Sequence, residues 1–346
     1  MNIYDLDITS IREKLLSKEI TCVDLLNEYI KNAKENNYNE YITTNFDEAL
    51  KKAEEIDDKI KNNKEIGELA GIIVSVKDNI ITKDLKTTAG SKMLEDFIPP
   101  YNATVIEKII NEDAIIIGKT NMPEFAITRS GNNKLFKDTI NPIDKDTVPG
   151  GSSSGSAASV KGHSSMISLA SDTGGSVRQP ASYQGLVGLK PTYGRVSRYG
   201  LISLSDSLDS IGIIGNNVKD TFILLNSIQG FDSKDLTTLK SEKISLDEKD
   251  VSGFKVAVIK ELLDEQVDRE NLTQLNKAVT TLKENGVIVE EISIENIKSA
   301  LSAFNIIFSS DVSSNLARYD GIRYGYRAKD YDSLDQLYMK TRKEGF

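Results

Sequence analysis

The stretch LAGIIVSVKDNI, residues 69–80, is an apolar run that empties into charged and polar residues. It is too short and too rich in β-branched side chains for a buried helix, so it reads as a strand covered on both faces. Lys77 falls where that run ends. The same texture recurs outward along the chain. Residues 104–122, TVIEKIINEDAIIIGKTNM, read as a helix, a turn at Glu112 and Asp113, and a second buried strand. Residues 163–176, HSSMISLASDTGGS, read as a strand starting near His163 and ending in a glycine-rich turn. FKVAVIKE at 254–261, a helix around 270–285 and GVIVEEISI at 286–294 add a strand–helix–strand unit. Such alternation predicts an α/β fold around a largely parallel or mixed sheet. In these sheets sites gather where strands end.

Around this core the chain divides within a single expected domain. Residues 1–65 form a helical N-terminal part, with Thr21 as a cap and a solvated amphipathic helix over 47–64. A central α/β part is expected over 66–230, a linker or surface excursion over 231–253, and a second α/β part over 254–346.

Composition removes whole classes of chemistry. With 43 basic and 52 acidic residues the net charge is −9, which argues against a broad basic RNA-binding face. One histidine, His163, and one cysteine, Cys22, are too few for a His/Cys zinc site. A single cysteine suits a reducing cytoplasm, and the acidic start without an apolar core is not expected to be a secretory leader. No apolar run approaches the roughly 18 residues that span a bilayer.

The loop VPGGSSSGSAASV, residues 148–160, concentrates small hydroxyls in a chain that otherwise reads as packed protein. Gly150 and Gly155 have the spacing of a phosphate loop, but Ser156 stands where its lysine belongs. Residues 151–155 match G-x-S-x-G around Ser153, yet that hydrolase pattern needs an acid and then a histidine downstream. His163 leaves little room for the acid. A third arrangement uses a buried lysine, a bridging hydroxyl and a nucleophile beside glycines. Lys77, Ser152 and Ser176 supply these, with a helix predicted behind SVRQPASYQG. Lys119, in IIIGKTN, is the competing lysine.

GIIVSVKDNI, TTAGS, GKTNMPEFA, PGGSSSGSAA, SDTGGSVRQPASYQGLVGLKPTYGRVSRYGL and SSNLARYDGIRYGY together resemble the amidase signature family. Within it the chain is most similar to the glutaminase, or A, subunits of the glutamyl-tRNA(Gln) amidotransferases. The resemblance runs the length of the chain and implies the amidase signature fold, an α/β fold with a central mixed, twisted sheet flanked by helices on both faces and its catalytic core over 66–230. It implies a Ser–cisSer–Lys triad: Lys77 as base, Ser152 as bridge after a cis peptide, and Ser176 as nucleophile. The backbone N–H groups of Thr173, Gly174, Gly175 and Ser176 would form the oxyanion hole. Gly151, Ser153 and Arg178 would support the loop. Lys119 takes a structural role, Ser156 would cap the helix beginning AASV, and the aromatics and arginines of 317–327 serve either core and surface or a partner protein.

The implied activity is hydrolysis of glutamine through an acyl-enzyme, supplying ammonia for conversion of Glu-tRNA(Gln) to Gln-tRNA(Gln). The B and C subunits of the amidotransferase would complete a heterotrimer. The B member would handle tRNA, ATP and Mg, with no cofactor in this chain. Alternatives are a stand-alone amidase acting on another small amide, and a silent scaffold that only binds the other members of the complex. The sequence departs from the A-subunit pattern at Pro123, at residues 127–130, at Ser154, in the segment 203–213 and at Phe304 and Asn305, all on the substrate side. The pattern also continues beyond Phe346 in relatives, with an arginine and an aspartate that grip the free amino acid. A C-terminally shortened chain is therefore expected, losing glutamine binding more than chemical competence. As base, Lys77 must fall from a pKa near 10.4 to about 7, roughly 4–5 kcal/mol, which burial supplies. Asp78, beside it, is the carboxylate that threatens to hold its proton, unless alternation turns it to the opposite face.

Overall fold

Each capped amphipathic segment of the N-terminal part lays an apolar stripe on the same core. Helix α1 (Ile8–Leu16) starts at Asp7, whose carboxylate accepts from Ser10 N–H at 2.7 Å. Helix α2 (Cys22–Glu35) starts at Thr21, whose hydroxyl accepts from Asp24 N–H at 3.0 Å. Strand β1 (Tyr41–Thr44) and helix α3 (Phe46–Lys61) follow. The computed structural model describes residues 3–245, 249–263 and 267–346.

The apolar runs become the centre of a six-stranded sheet. Strand β2 (Ile73–Lys77), helix α4 (Thr104–Asn111), strand β3 (Ile115–Thr120), helix α5 (Ser154–Lys161), strand β4 (Ile167–Asp172) and helix α6 (Arg178–Tyr183) are followed by three further elements. These are strands β5 (Val187–Leu189) and β6 (Ser210–Gly215) and helix α7 (Val218–Ile228). The order across the sheet is β1-β3-β2-β4-β6-β5. β2 lies parallel to both β3 and β4, while β1, β5 and β6 pair antiparallel, so the sheet is mixed. Every residue of β2, β3, β4 and β6 is buried, so these strands are covered on both faces.

Period-two alternation sorts the two faces of β2. Val74 and Val76 join the main core with Ile11, Leu25, Ile56 and Leu224, from helices α1, α2, α3 and α7. Ser75 and Lys77 face α5 instead. All of α5 from Ser154 to Val160 is buried. Its hydroxyls pair with the sheet: Ser159 Oγ with Ser75 Oγ at 2.9 Å, and Ser156 Oγ with Thr120 Oγ1 at 2.7 Å. Ser154 Oγ pairs with Thr139 Oγ1 at 3.1 Å. The small residues of the loop thus let a helix approach the sheet closely while leaving its buried hydroxyls partnered.

Two local expectations are corrected here. Helix α5 begins at Ser154, so Ser156 is inside it and bonded to Thr120 rather than capping it. His163 is in the turn after α5, with φ +53°, stacked on Tyr4 at 4.6 Å between ring centres; β4 starts only at Ile167.

The described residues up to Ile244, with Asp311–Phe346, form one compact unit, and those of Ser245–Ser310 form a second. Of the stretch 231–253, residues 246–248 lie outside the described residues. Its earlier part is tied to the first unit: Asp232 accepts from Ser197 Oγ at 2.6 Å, and Ile244 N–H donates to Asn226 at 2.8 Å. The second unit holds parallel strands β7 (Lys255–Ile259) and β8 (Ile288–Ile292) joined through helix α8 (Arg269–Glu284). Helix α9 (Ala300–Leu316) runs out of it, and α10 (Leu334–Gly345) closes the described chain. Among the described residues no helix is long and apolar enough to cross a membrane.

Gly155 marks the closest approach of α5. A Cβ there would lie 2.5 Å from Asn121 N and 2.5 Å from Glu40 O, both backbone atoms that cannot swing aside. Gly155→Ala should lower unfolding free energy by about 1–3 kcal/mol, read from urea denaturation. A variant as stable as the parent would show that the helix can slide outward.

Candidate active site

Parallel pairing brings the C-terminal ends of β2 and β4 side by side, with Val76 opposite Leu169. Lys77 therefore meets Ser171 and the turn that follows β4. Its side chain is wholly buried. Nζ lies 2.8 Å from Ser152 Oγ, 2.9 Å from Ser171 Oγ and 3.3 Å from the Ser171 carbonyl. Its hydrogen-bond partners are thus all neutral oxygens. Burial brings its pKa down to about 7, against the weaker opposing pull of Asp172 and Asp209.

Ser152 is placed by the loop before α5. Gly150 adopts φ +76°, a conformation suited to glycine, and the Gly151–Ser152 peptide is cis. Gln179 Oε1 accepts from Gly151 N–H at 3.3 Å. Ser153 fastens this loop to the other serine: its N–H donates to the Ser176 carbonyl at 3.1 Å, and its hydroxyl donates to the Ser171 carbonyl at 3.1 Å. Ser176 is buried except for a sliver of 7% exposure, and among the described residues nothing engages its hydroxyl. That is the condition expected of a hydroxyl kept available to a ligand.

The turn over residues 173–176 is gripped from inside by Asp172. Its carboxylate accepts from Gly175 N–H at 2.8 Å, from Val177 N–H at 3.0 Å, and from Arg178 through Nε at 3.1 Å and a terminal nitrogen at 3.0 Å. These donors hold its pKa below the usual range although burial pushes the other way. One expectation changes as a result. Gly175 N–H is turned inward to Asp172 and is not free for an oxyanion, whereas those of Gly174 and Ser176 have no acceptor among the described residues. Arg178 is committed to Asp172.

The competing lysine has different neighbours. Lys119 Nζ donates to the Ile80 carbonyl, to Thr87 Oγ1 at 2.9 Å and to Thr82 Oγ1 at 3.3 Å, and to no serine. Burial pulls it down and pushes Asp78 up, while their mutual attraction opposes both shifts. Asp78 itself accepts from Thr88, through N–H at 2.9 Å and through the hydroxyl. The carboxylates that act on Lys77 are instead Asp172 and Asp209, neither of which the sequence reading singled out.

Ser171, Asn79, Asp172 and Asp209 are the neighbours missed in the sequence. Asn79 Nδ2 donates to Ser171 Oγ at 2.9 Å, across 92 residues. Only the position of SD at the strand end, just before TGGS, signalled any of them. A cavity of about 590 Å³ opens nearby, with Met93, Phe97, Tyr101, Ile202, Tyr319 and Tyr324 among its walls. Ile202 N–H donates to the Asn79 carbonyl at 2.8 Å, so the cavity adjoins the site. Part of the segment 317–327 thus lines a hollow, and Phe304 and Asn305 belong to the second unit. Among the described residues no three His, Cys, Asp or Glu side chains converge as metal ligands would.

Comparison with known proteins adds an independent line. The family described as Amidase matches residues 24–346. The A subunit of the glutamyl-tRNA(Gln) amidotransferase of Pediococcus pentosaceus is 47% identical over 352 residues, covering 100% of this chain and 72% of its own length. The protein of the same description from Staphylococcus haemolyticus is 49% identical over 309 residues, covering 88% of this chain and 64% of its own. The crystal structure of the glutamyl-tRNA(Gln) amidotransferase A subunit from Thermotoga maritima superposes with a TM-score of 0.80 at 35% identity, covering 91% of this chain and 67% of that one. The peptide amidase of Stenotrophomonas maltophilia gives 0.84 at 29% identity, with the same coverage.

The two buried lysines should separate in a stability test. The unfolded chain keeps a proton on Lys77 to about pH 10.4, the folded chain only to about 7. Folding therefore releases a proton in that window, and stability rises with pH across it. Lys77→Met should gain most over the parent at pH 7 and below, and that difference should shrink by roughly 3 kcal/mol by pH 10. Lys119→Met should instead lose roughly 1–3 kcal/mol, because the buried Ile80 carbonyl and the Thr82 and Thr87 hydroxyls lose the donor they face. Urea unfolding from pH 7 to 10 reads both; a pH-independent difference for Lys77→Met would mean its amine is not buried neutral.

Proposed function

The chain belongs to the amidase family, and from that premise we propose that it is the glutamine-hydrolysing A subunit of a glutamyl-tRNA(Gln) amidotransferase. The observation that carries the chemistry is Lys77 Nζ, wholly buried and 2.8 Å from Ser152 Oγ, in a loop pinned to Ser176. Identity of 47% to an A subunit of a glutamyl-tRNA(Gln) amidotransferase over the whole chain supports this reading.

The reaction proceeds in two halves. Neutral Lys77 takes the proton of Ser152 as Ser152 takes that of Ser176, so the Ser176 oxygen attacks the side-chain amide carbon of glutamine. The carbonyl oxygen becomes an oxyanion facing the N–H groups of Gly174 and Ser176, with Thr173 opening the same turn. Ser152 then hands a proton to the leaving nitrogen, the C–N bond breaks, and ammonia departs from a γ-glutamyl ester on Ser176. Water, deprotonated by the same relay, cleaves that ester and frees glutamate. Ser153 and Gly151 keep the loop in place, and Arg178 acts through Asp172. Ammonia passes to the B subunit, which holds the tRNA and uses ATP with Mg to activate the glutamate on it. The third member, the C subunit, joins them in a cytoplasmic heterotrimer. This chain needs no cofactor for its own half-reaction.

The likeness to a peptide amidase, with a TM-score of 0.84, favours one second reading, a free-standing amidase for another small amide. Ammonia release from glutamine with and without the B and C subunits separates the two. Turnover of glutamine that depends on the partners supports the first; turnover of other amides by the chain alone supports the second. In whichever assay is active, Ser176→Ala and Lys77→Ala should each lower kcat at least about a thousandfold. The rate should also fall below about pH 7, where Lys77 gains its proton and can no longer accept one. Normal turnover by Lys77→Ala would remove it as the base.

A further inference from the structure

We propose that Asp209 is a positioning residue for the nucleophile turn, holding its first residue while Asp172 holds its end, and setting the electrostatic field at Lys77. The inference rests on the reading of Lys77 as the base.

The geometry is specific. Asp209 is 3% exposed and immediately precedes β6, which pairs antiparallel with β4, so that Ser210 lies opposite Asp172. One carboxylate oxygen accepts from Thr173 Oγ1 at 2.6 Å. The other accepts from Leu204 N–H at 2.8 Å, Ser205 N–H at 3.0 Å and Ser203 Oγ at 3.4 Å. The turn is therefore held at both ends by buried carboxylates: Asp209 holds Thr173 where it begins, and Asp172 holds Gly175, Val177 and Arg178 where it leaves. Between the two anchors are the Gly174 and Ser176 N–H groups and the Ser176 hydroxyl. A carboxylate is a stronger acceptor than a neutral group, and a shift of about 1 Å in such a turn costs roughly a hundredfold in rate.

Asp209 also differs from Asp172 in its charge balance. Asp172 is neutralised by Arg178 in a bidentate pair. No cation lies within ion-pair distance of Asp209 among the described residues; the cation acting on it is Lys77. The other charged groups nearby are Arg198, Asp206, Lys234 and Asp235, around a hollow of about 180 Å³ that Asp209 borders, and Asp311, which accepts from Ser205 Oγ at 2.6 Å. Arg198 is directed to Asp235 at 3.6 Å. On the Lys77 side the charged groups are Asp172 and Asp209, with Asp78 turned to Thr88 and Lys119 bonded elsewhere. Removing the charge of Asp209 should thus make Lys77 lose its proton more readily.

The test follows labelling of the full chain by an alkyl fluorophosphonate as a function of pH. Ser176 Oγ forms a bond to phosphorus, fluoride leaves, and the serine proton passes through Ser152 to Lys77, so the rate reports the relay without needing glutamine to bind. Asp209→Asn should lower the plateau rate roughly ten- to a hundredfold and move the midpoint of the acid limb down by about half to one pH unit. Thr173→Val, which keeps the charge and loses the hydrogen bond, should lower the plateau with the midpoint unmoved, and Thr173→Ser should restore it. If the parent is not labelled, or Lys77→Met labels at the parental rate, the relay itself is wrong and the proposal falls with it. If labelling depends on Lys77 while Asp209→Asn keeps the parental midpoint and a plateau within about twofold, only the role of Asp209 is overturned. Should Asp209→Asn not fold, the Thr173 pair decides: a parental plateau in Thr173→Val overturns the anchoring.

Discussion

An amine held dry among neutral oxygens is the constraint on which this site depends. A lysine touching a carboxylate in a buried place stays an ammonium, and an ammonium accepts no proton. Here the nearest partners of Lys77 are two hydroxyls and a carbonyl. The two carboxylates that reach it electrostatically are already occupied by other donors, Asp172 by Arg178 and backbone N–H groups, Asp209 by Thr173 and the N–H groups of Leu204 and Ser205. Their attraction raises the affinity of Lys77 for its proton, but less than burial lowers it.

The fold supplies that environment through strand direction. Because β2 and β4 run parallel and adjacent, their C-terminal ends deliver Lys77, Ser171 and Asp172 to one place. Ser152 comes from the loop before α5, which lies on the same face as Lys77 because β2 alternates. The second lysine, one strand over on β3, is equally buried yet meets threonine hydroxyls and a carbonyl instead of serines. Identical residue type and burial thus give two different surroundings, decided by which hydroxyls the neighbouring chain brings.

Much of this was legible in the sequence, for identifiable reasons. β2, β3 and β4 are covered on both faces and so leave short, mainly apolar stretches that end in polar residues, and the helices of the N-terminal part leave helical periodicity and capping residues. β1 and β5 leave neither, being four and three residues long and only half-buried. At the site, Lys77, Ser152 and Ser176 are carried by local motifs. Ser171, Asn79 and Asp209 act through hydrogen bonds spanning 36 to 94 residues, and such bonds leave no periodic trace. The inward turn of Gly175 N–H was equally invisible, because it follows from where one carboxylate points. Glycines advertise freedom of backbone direction, not the direction taken.

The seam between α5 and the sheet has a consequence for how such a protein can diversify. Hydroxyl meets hydroxyl along it, and at Gly155 backbone meets backbone, so no long flexible side chain lies between the helix and the strands to absorb a change. The spacing of amine and alcohols is therefore inherited from main-chain architecture. The aromatic walls around residues 93–101 and 319–326 lie outside that seam, so they can be remodelled while the spacing stays as it is.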